Sequence, residues 1–205
     1  MDKKVSKKVL QGIETKERLI QCASTLFRER GYHNVTVDEI IEKANSSKGS
    51  FYTHFSNKEE LLYSLIDLLD EVYLNFFKLD LKYQSSIDRI SLFIHYSFKA
   101  IEEKVGLDFI TVIYSTQIKD SISPRFPMTS ERQFYQILEK FIEEGKGKNE
   151  IKKELSAEYI IRILTTCCRG AIYDWCLTKG AFDLSQYGSE VISIILQKVK
   201  YEHEV

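Results

Sequence analysis

The chain has 205 residues, 43% of them hydrophobic and 12% aromatic, which is enough for one large or two small cores. A formal net charge of −1 rules out neither nucleic acid nor a small molecule as partner, and no apolar run approaches the roughly 20 residues that span a bilayer, which excludes a membrane helix. Four cysteines (Cys22, Cys167, Cys168 and Cys176) show neither metal spacing nor a paired framework, and with no signal peptide they read as reduced thiols of a cytoplasmic protein without metal or cofactor.

Only two prolines and nine glycines punctuate the sequence, and strand-like alternation is missing, so an all-α fold is predicted. Met1 to Gly12 is polar, with Lys3, Lys4, Lys7 and Lys8, and reads as a solvated tail. A first helix follows from about Glu14 to Arg30, with Leu19, Ile20, Ala23, Leu26 and Phe27 on one face and Gly31 as its stop.

The stretch Thr36 to Lys58 reads as two short helices joined by a tight polar turn. The first is Val37 to Ala44, with Thr36 as N-cap and Glu39 completing a capping box. Asn45-Ser46 forms the turn, because Asn tolerates the left-handed conformation that ends a helix. Ser47 caps the second helix, which runs to about His54. Phe51 and Phe55 lie four apart and anchor it, while Lys48 with Tyr52 and Ser50 with His54 form two other rows of hydrogen-bonding groups. Gly49 leaves room for a backbone or phosphate to come close. A short helix that is aromatic inward and polar outward fits the recognition helix of a DNA-binding motif.

The run from Ala44 to Leu61 (ANSSKGSFYTHFSNKEEL) resembles the DNA-binding signature of the tetracycline-repressor (TetR) family. The family usually has Gly-Val where this chain has Asn45-Ser46. The resemblance implies an N-terminal three-helix helix-turn-helix DNA-binding domain, here residues 12–72 with the motif at about 36–55, and a C-terminal helical ligand-binding and dimerisation domain, residues 73–205. Ser47, Lys48, Ser50 and Tyr52 are expected at base edges of double-stranded DNA, Gly49 where the DNA backbone comes close, and Thr36, His54 and Lys58 at phosphates, which fix register. The alternative to a solvated tail is a flexible basic arm that meets DNA phosphates, and Lys16 and Arg18 are further candidates for such contacts. Residues 1–60 carry a net charge of +2 and the remainder −3, a weak bias in the same direction.

A fourth helix begins near Asn57, which pairs with Glu60 as a cap, and continues to about Phe77 with apolar residues on more than one side. It is expected to join the reading head to the body as a lever. Further helices are predicted from about Ser86 to Lys104, Leu107 to Ile118, Thr129 to Glu144, Ser156 to Lys179 and Leu184 to Tyr201. Ser123 to Pro127 reads as a loop, and Gly145 to Asn149 as a break.

Phe93, Tyr96, Phe109, Tyr114, Phe134 and Phe141 are the candidate lining of a pocket for a small apolar or aromatic effector. Leu164, Gly170, Ala171, Asp174 and Trp175, with Ile192 and Ile195, are the candidate dimer interface. The resulting expectation is a homodimeric repressor that reads a palindromic operator and is released by its effector. Control by a protein partner or by oxidation of Cys167 or Cys168 is the alternative. An enzyme using either thiol with His95 is set aside, because no nucleophile turn or triad motif is present.

Overall fold

The computed structural model describes residues 7–79, 81, 84–119 and 132–201. Lys3, Lys4, the expected loop from Ser123 to Pro127 and the expected helix start at Thr129 lie outside them. Nine α-helices occur among the described residues: α1 (Lys7–Arg30), α2 (Val37–Lys43), α3 (Lys48–His54), α4 (Lys58–Phe77), α5 (Ser86–Ala100), α6 (Leu107–Lys119), α7 (Gln133–Gly147), α8 (Ala157–Leu177) and α9 (Leu184–Val199). The one β-type pairing among them is an isolated antiparallel bridge between Ile151 and Lys200. The chain divides into two compact units, Met1–Leu68 and Leu69–Val205, so the division falls inside α4.

In the first unit α1 starts seven residues earlier than its apolar face suggests, at Lys7, and the helical turns so added expose Val9, Leu10 and Ile13. It stops at Gly31, whose φ of 78° suits glycine. Leu19, Ala23 and Phe27 from α1, Ile40 from α2, Phe51 and Phe55 from the α3 segment and Leu61 from α4 are almost wholly buried. Together they make one small core around which the short helices assemble.

The second unit is built around Phe93 of α5. Its ring centroid lies 5.2 Å from Phe76, 5.2 Å from Phe134, 5.6 Å from Tyr73 and 6.3 Å from Phe141. The helix ends are closed by side chains. Ser156 accepts from Tyr159 N, and Asp183 from Gln186 N at 2.7 Å. Glu102 reaches across from the π-helical turn Ile101–Val105 and accepts from both Leu184 N and Ser185 N at the start of α9. Glu150 accepts in the same way from Ser86 N at the start of α5. That π-helical turn extends α5 and ends at Gly106, φ 84°.

Two glycines mark where helices come closest. The expected break at Gly145 to Asn149 is a correction: α7 runs through Gly147, and the chain turns at Asn149, φ 57°. Gly145 is buried, and a Cβ there would sit 2.7 Å from Ile151 Cδ1 and 2.9 Å from Ser86 Cβ. It is a contact residue, not a breaker. A Cβ at Gly188 of α9 would overlap the ring of Phe98 on α5.

Replacing Gly188 by Ala therefore forces the Phe98 ring out of place and should lower stability by about 1–3 kcal/mol. Gly147→Ala, with open space at its Cβ, should be neutral or slightly stabilising. Urea unfolding of both variants beside the parent chain measures the difference.

Candidate functional site

The α2–α3 pair is held by its own caps. Thr36 Oγ accepts from Glu39 N, and the Glu39 carboxylate accepts from Thr36 N at 2.7 Å, which completes the capping box. That backbone N–H, followed by Arg30 and the Thr36 hydroxyl, holds the Glu39 carboxyl down from 4.5 to about 2. Asn45 takes φ 46° in the turn, and Ser47 Oγ accepts from Ser50 N at 3.1 Å to start α3. Arg18 Nε donates to Ala44 O at 2.9 Å and ties α1 to the end of α2.

Phe51 and Phe55, 0% and 1% exposed, turn α3 with its opposite face to solvent. Lys48, Gly49, Tyr52 and Thr53 are exposed on that face, Tyr52 by 54%. Gly49 has open space beyond it. Ser47 is exposed at the cap, and Ser50 and His54 are half-buried. Thr53 did not stand out in the sequence; its place four residues after Gly49 was the available signal. Its hydroxyl donates to Gly49 O at 2.8 Å. Lys48 Nζ pairs with Asp38 at 2.9 Å, and that hydrogen bond raises the Lys48 pKa. The pair is exposed and contributes little to the fold, so a stronger anion displaces Asp38 at small cost.

Two of the residues expected at phosphates have partners within the chain. Lys58 Nζ donates to Tyr32 O at 2.9 Å and to Val35 O at 2.8 Å, and lies 4.1 Å from the centroid of the Tyr32 ring. Burial lowers its pKa. Its donors serve the chain's own backbone at the turn after α1. The Thr36 hydroxyl donates to Glu39 Oε2 at 2.9 Å and is likewise committed to the cap. At the start of α4, Asn57 Oδ1 accepts from Glu60 N at 2.7 Å as expected, while the Glu60 carboxylate accepts from Ser56 N instead of Asn57 N. Ser46, where the resembling family has an apolar residue, leaves its Oγ buried with no hydrogen-bond partner.

The six candidate pocket residues stand on α5 (Phe93, Tyr96), α6 (Phe109, Tyr114) and α7 (Phe134, Phe141). Phe93, Tyr96, Phe134 and Phe141 join Tyr73 and Phe76 of α4 in a packed ring cluster, with Tyr96 5.2 Å from Phe76. Phe109 and Tyr114 stand on α6, where burial pushes the Tyr114 phenol up and Arg169 and Cys168 are its charged and titratable neighbours. A half-open cleft of about 200 Å³ in this unit has Phe141 as the one wall residue it shares with that list.

The dimer candidates are split by burial. Leu164, Ala171, Trp175 and Ile192 are buried inside the chain, because the apolar stripe they form is covered by the chain's own helices. Gly170 and Asp174 are exposed and Ile195 is half-buried. A different row of α8 faces outward: Tyr159, Ile163, Thr166, Gly170, Tyr173 and Leu177, at alternating spacings of four and three. On α9 the row is Tyr187, Val191, Ile194 and Lys198. Leu177 is 64% and Ile194 67% exposed. This is the spacing by which one helix lies along another in a bundle.

His95 Nδ1 lies 3.0 Å from Ser189 Oγ, and burial pushes the Cys168 thiol up, away from the thiolate that nucleophilic chemistry needs. No helix among the described residues is long and apolar enough to cross a membrane.

Residues 19–65 match a family model described as bacterial regulatory proteins, tetR family, and residues 75–198 match one described as YsiA-like protein, C-terminal region. The HTH-type transcriptional repressor BepR of Brucella suis biovar 1 (strain 1330) is 26% identical over 203 residues, which cover 93% of this chain and 94% of BepR. The HTH-type transcriptional repressor KstR2 of Mycolicibacterium smegmatis is 25% identical over 190 residues, 91% of each chain. Among solved structures, Thermus thermophilus FadR, described as a TetR-family transcriptional repressor in complex with lauroyl-CoA, aligns with a TM-score of 0.71 at 17% identity, over 92% of this chain and 97% of its own.

The site's internal bonds can be tested without DNA. Lys58→Met strips Val35 O of its donor and leaves Tyr32 O with the Val35 N–H alone, and should cost roughly 1–2 kcal/mol. Ser46→Val removes the orphaned hydroxyl and should stabilise by about 1 kcal/mol. Urea unfolding followed by circular dichroism reads both.

Proposed function

Because the chain belongs to the tetR family of bacterial regulatory proteins, we propose that it is a homodimeric transcriptional repressor that reads a palindromic operator and lets go when a small apolar or aromatic effector binds its body. The observation that carries this reading is the divided face of α3, with Phe51 and Phe55 buried behind it and Lys48, Gly49, Tyr52 and Thr53 turned out. Lys48, Tyr52 and Thr53 offer a cation, a phenol and a hydroxyl, which suit hydrogen-bond readout of base edges in the major groove. Gly49 allows the DNA backbone to come close. Ser47 and the half-buried Ser50 flank that face, and His54 borders it as a phosphate partner.

A two-fold operator needs a two-fold protein. The outward rows of α8 and α9 support a four-helix contact between two copies, centred on Gly170, Tyr173, Leu177 and Ile194 instead of the buried residues first expected. The two recognition helices then enter successive major grooves roughly 34 Å apart. An effector that prefers a conformation with another spacing between the reading heads dissolves the complex, through its differential affinity for the two states. Release by thiol oxidation is disfavoured at Cys168, where burial pushes the thiol up.

Fluorescence anisotropy on DNA from upstream of the chain's own gene, across a salt series and with random DNA as control, tests the reading. Tight specific binding that falls steeply with salt is expected. Tyr52→Ala should weaken it by roughly tenfold or more while light scattering still finds a dimer. Ile194→Lys should give monomers and weak operator binding. Equal, weak binding to both DNAs overturns the proposal.

A further inference from the structure

The cleft of about 200 Å³ in the second unit is walled by the end of α4, the residues that follow it, α5 and α7. Its apolar surface comes from Phe76, Phe77, Leu79 and Phe141, with the Phe77 and Phe141 rings stacked at 6.0 Å and 26°. Phe77 and Leu79 are 36% and 53% exposed, so this apolar surface is open to solvent.

Two cations border it, and they differ. The Arg89 guanidinium lies 4.5 Å from the Phe141 ring, is paired with Glu144, and has a buried Nε with no hydrogen-bond partner. Lys140 Nζ stands 4.3 Å from the Phe77 ring centroid. Glu144, four residues on and the natural helical partner of Lys140, is held by Arg89. Among the described residues, the charge left at the mouth is the Lys140 ammonium, over an aromatic wall.

We propose that this cleft binds a small amphipathic carboxylate, with its apolar part on the Phe77–Phe141 wall and its carboxylate on Lys140. The volume equals about seven water volumes, which suits a phenyl ring or short alkyl chain with a two- or three-carbon arm. This places and classifies the effector of the reading above, and rests on that reading only for its consequence at DNA; the binding stands on the cleft alone.

The test uses the full chain and 3-phenylpropionate as probe, with 3-phenylpropanol as the uncharged control, in saturation-transfer NMR titrations. A ligand of this size should bind the parent chain with a dissociation constant on the order of 1 mM. It should bind about tenfold tighter than the alcohol. Lys140→Met, at an exposed position, should bring the carboxylate down to the level of the alcohol, and Lys140→Arg should restore it. Leu79→Glu, which puts a second carboxylate on the open wall, should repel the probe. No saturable binding of 3-phenylpropionate, or binding unchanged in Lys140→Met, overturns the assignment. Binding that depends on Lys140 but leaves the operator complex intact upholds the cleft and removes the probe's class as the releasing effector.

Discussion

A helix of seven residues does not hold in water by itself. α3 exists because Phe51 and Phe55 are sunk into the core of the first unit, each burial contributing about 2–3 kcal/mol. That anchor frees the opposite face from any duty to the fold. Lys48, Gly49, Tyr52 and Thr53 are exposed there, and apart from the edge of the Tyr52 ring against Phe51 they contribute nothing to the buried core. The caps work with the anchor: Ser47 sets where α3 begins, and the left-handed Asn45 sets the angle at which it leaves α2. If Phe51 shifted, the chemistry of the outward face would keep its composition and lose its geometry.

The electrostatics of this unit follow the same economy. Among the described residues, several of its surface cations have partners already, with Arg30 on Glu39, Lys43 on Glu29 and Lys48 on Asp38. On the proposed reading, contact with DNA at these exposed pairs is an exchange of anions. Lys58 stands apart, because its ammonium closes the carbonyls of Tyr32 and Val35. A cation that ends one turn and begins the next helix holds the N-terminus of α4 in register with the three helices before it.

What the sequence made legible was local. Thr36 with Glu39, Ser47 with Ser50 and Asn57 with Glu60 are pairs three residues apart, and cap chemistry is decided at that range. The face of α3 followed from two phenylalanines one turn apart. The failures were all of longer range. Gly145 looked like a breaker because its purpose, contact with Ile151 and Ser86, involves a residue 59 positions away. Lys58 looked free because its partners lie 26 and 23 residues back. On α8 the sequence offered Leu164, Gly170, Ala171, Asp174 and Trp175 as one interface and was silent on which side the chain itself would cover. Leu164 and Trp175 went inward, and Tyr173 and Leu177 stayed out. The aromatic residues of the body were recognisable as core but not as cavity wall, since a ring that packs and a ring that lines a cleft have the same spacing.

The burial of Cys168 beside half-buried Cys167 has a practical side. The two thiols are neighbours in the chain, yet one is shut in the core, with its proton held firmly, and the other meets solvent part of the time. An alkylating reagent will therefore meet Cys168 only when α8 comes away from its neighbours, while Cys167 serves as an internal reference in the same peptide. The ratio of the two labels is a clock for the breathing of the second unit. It needs no dye and no engineered probe, and it runs on the unaltered chain, whatever is bound.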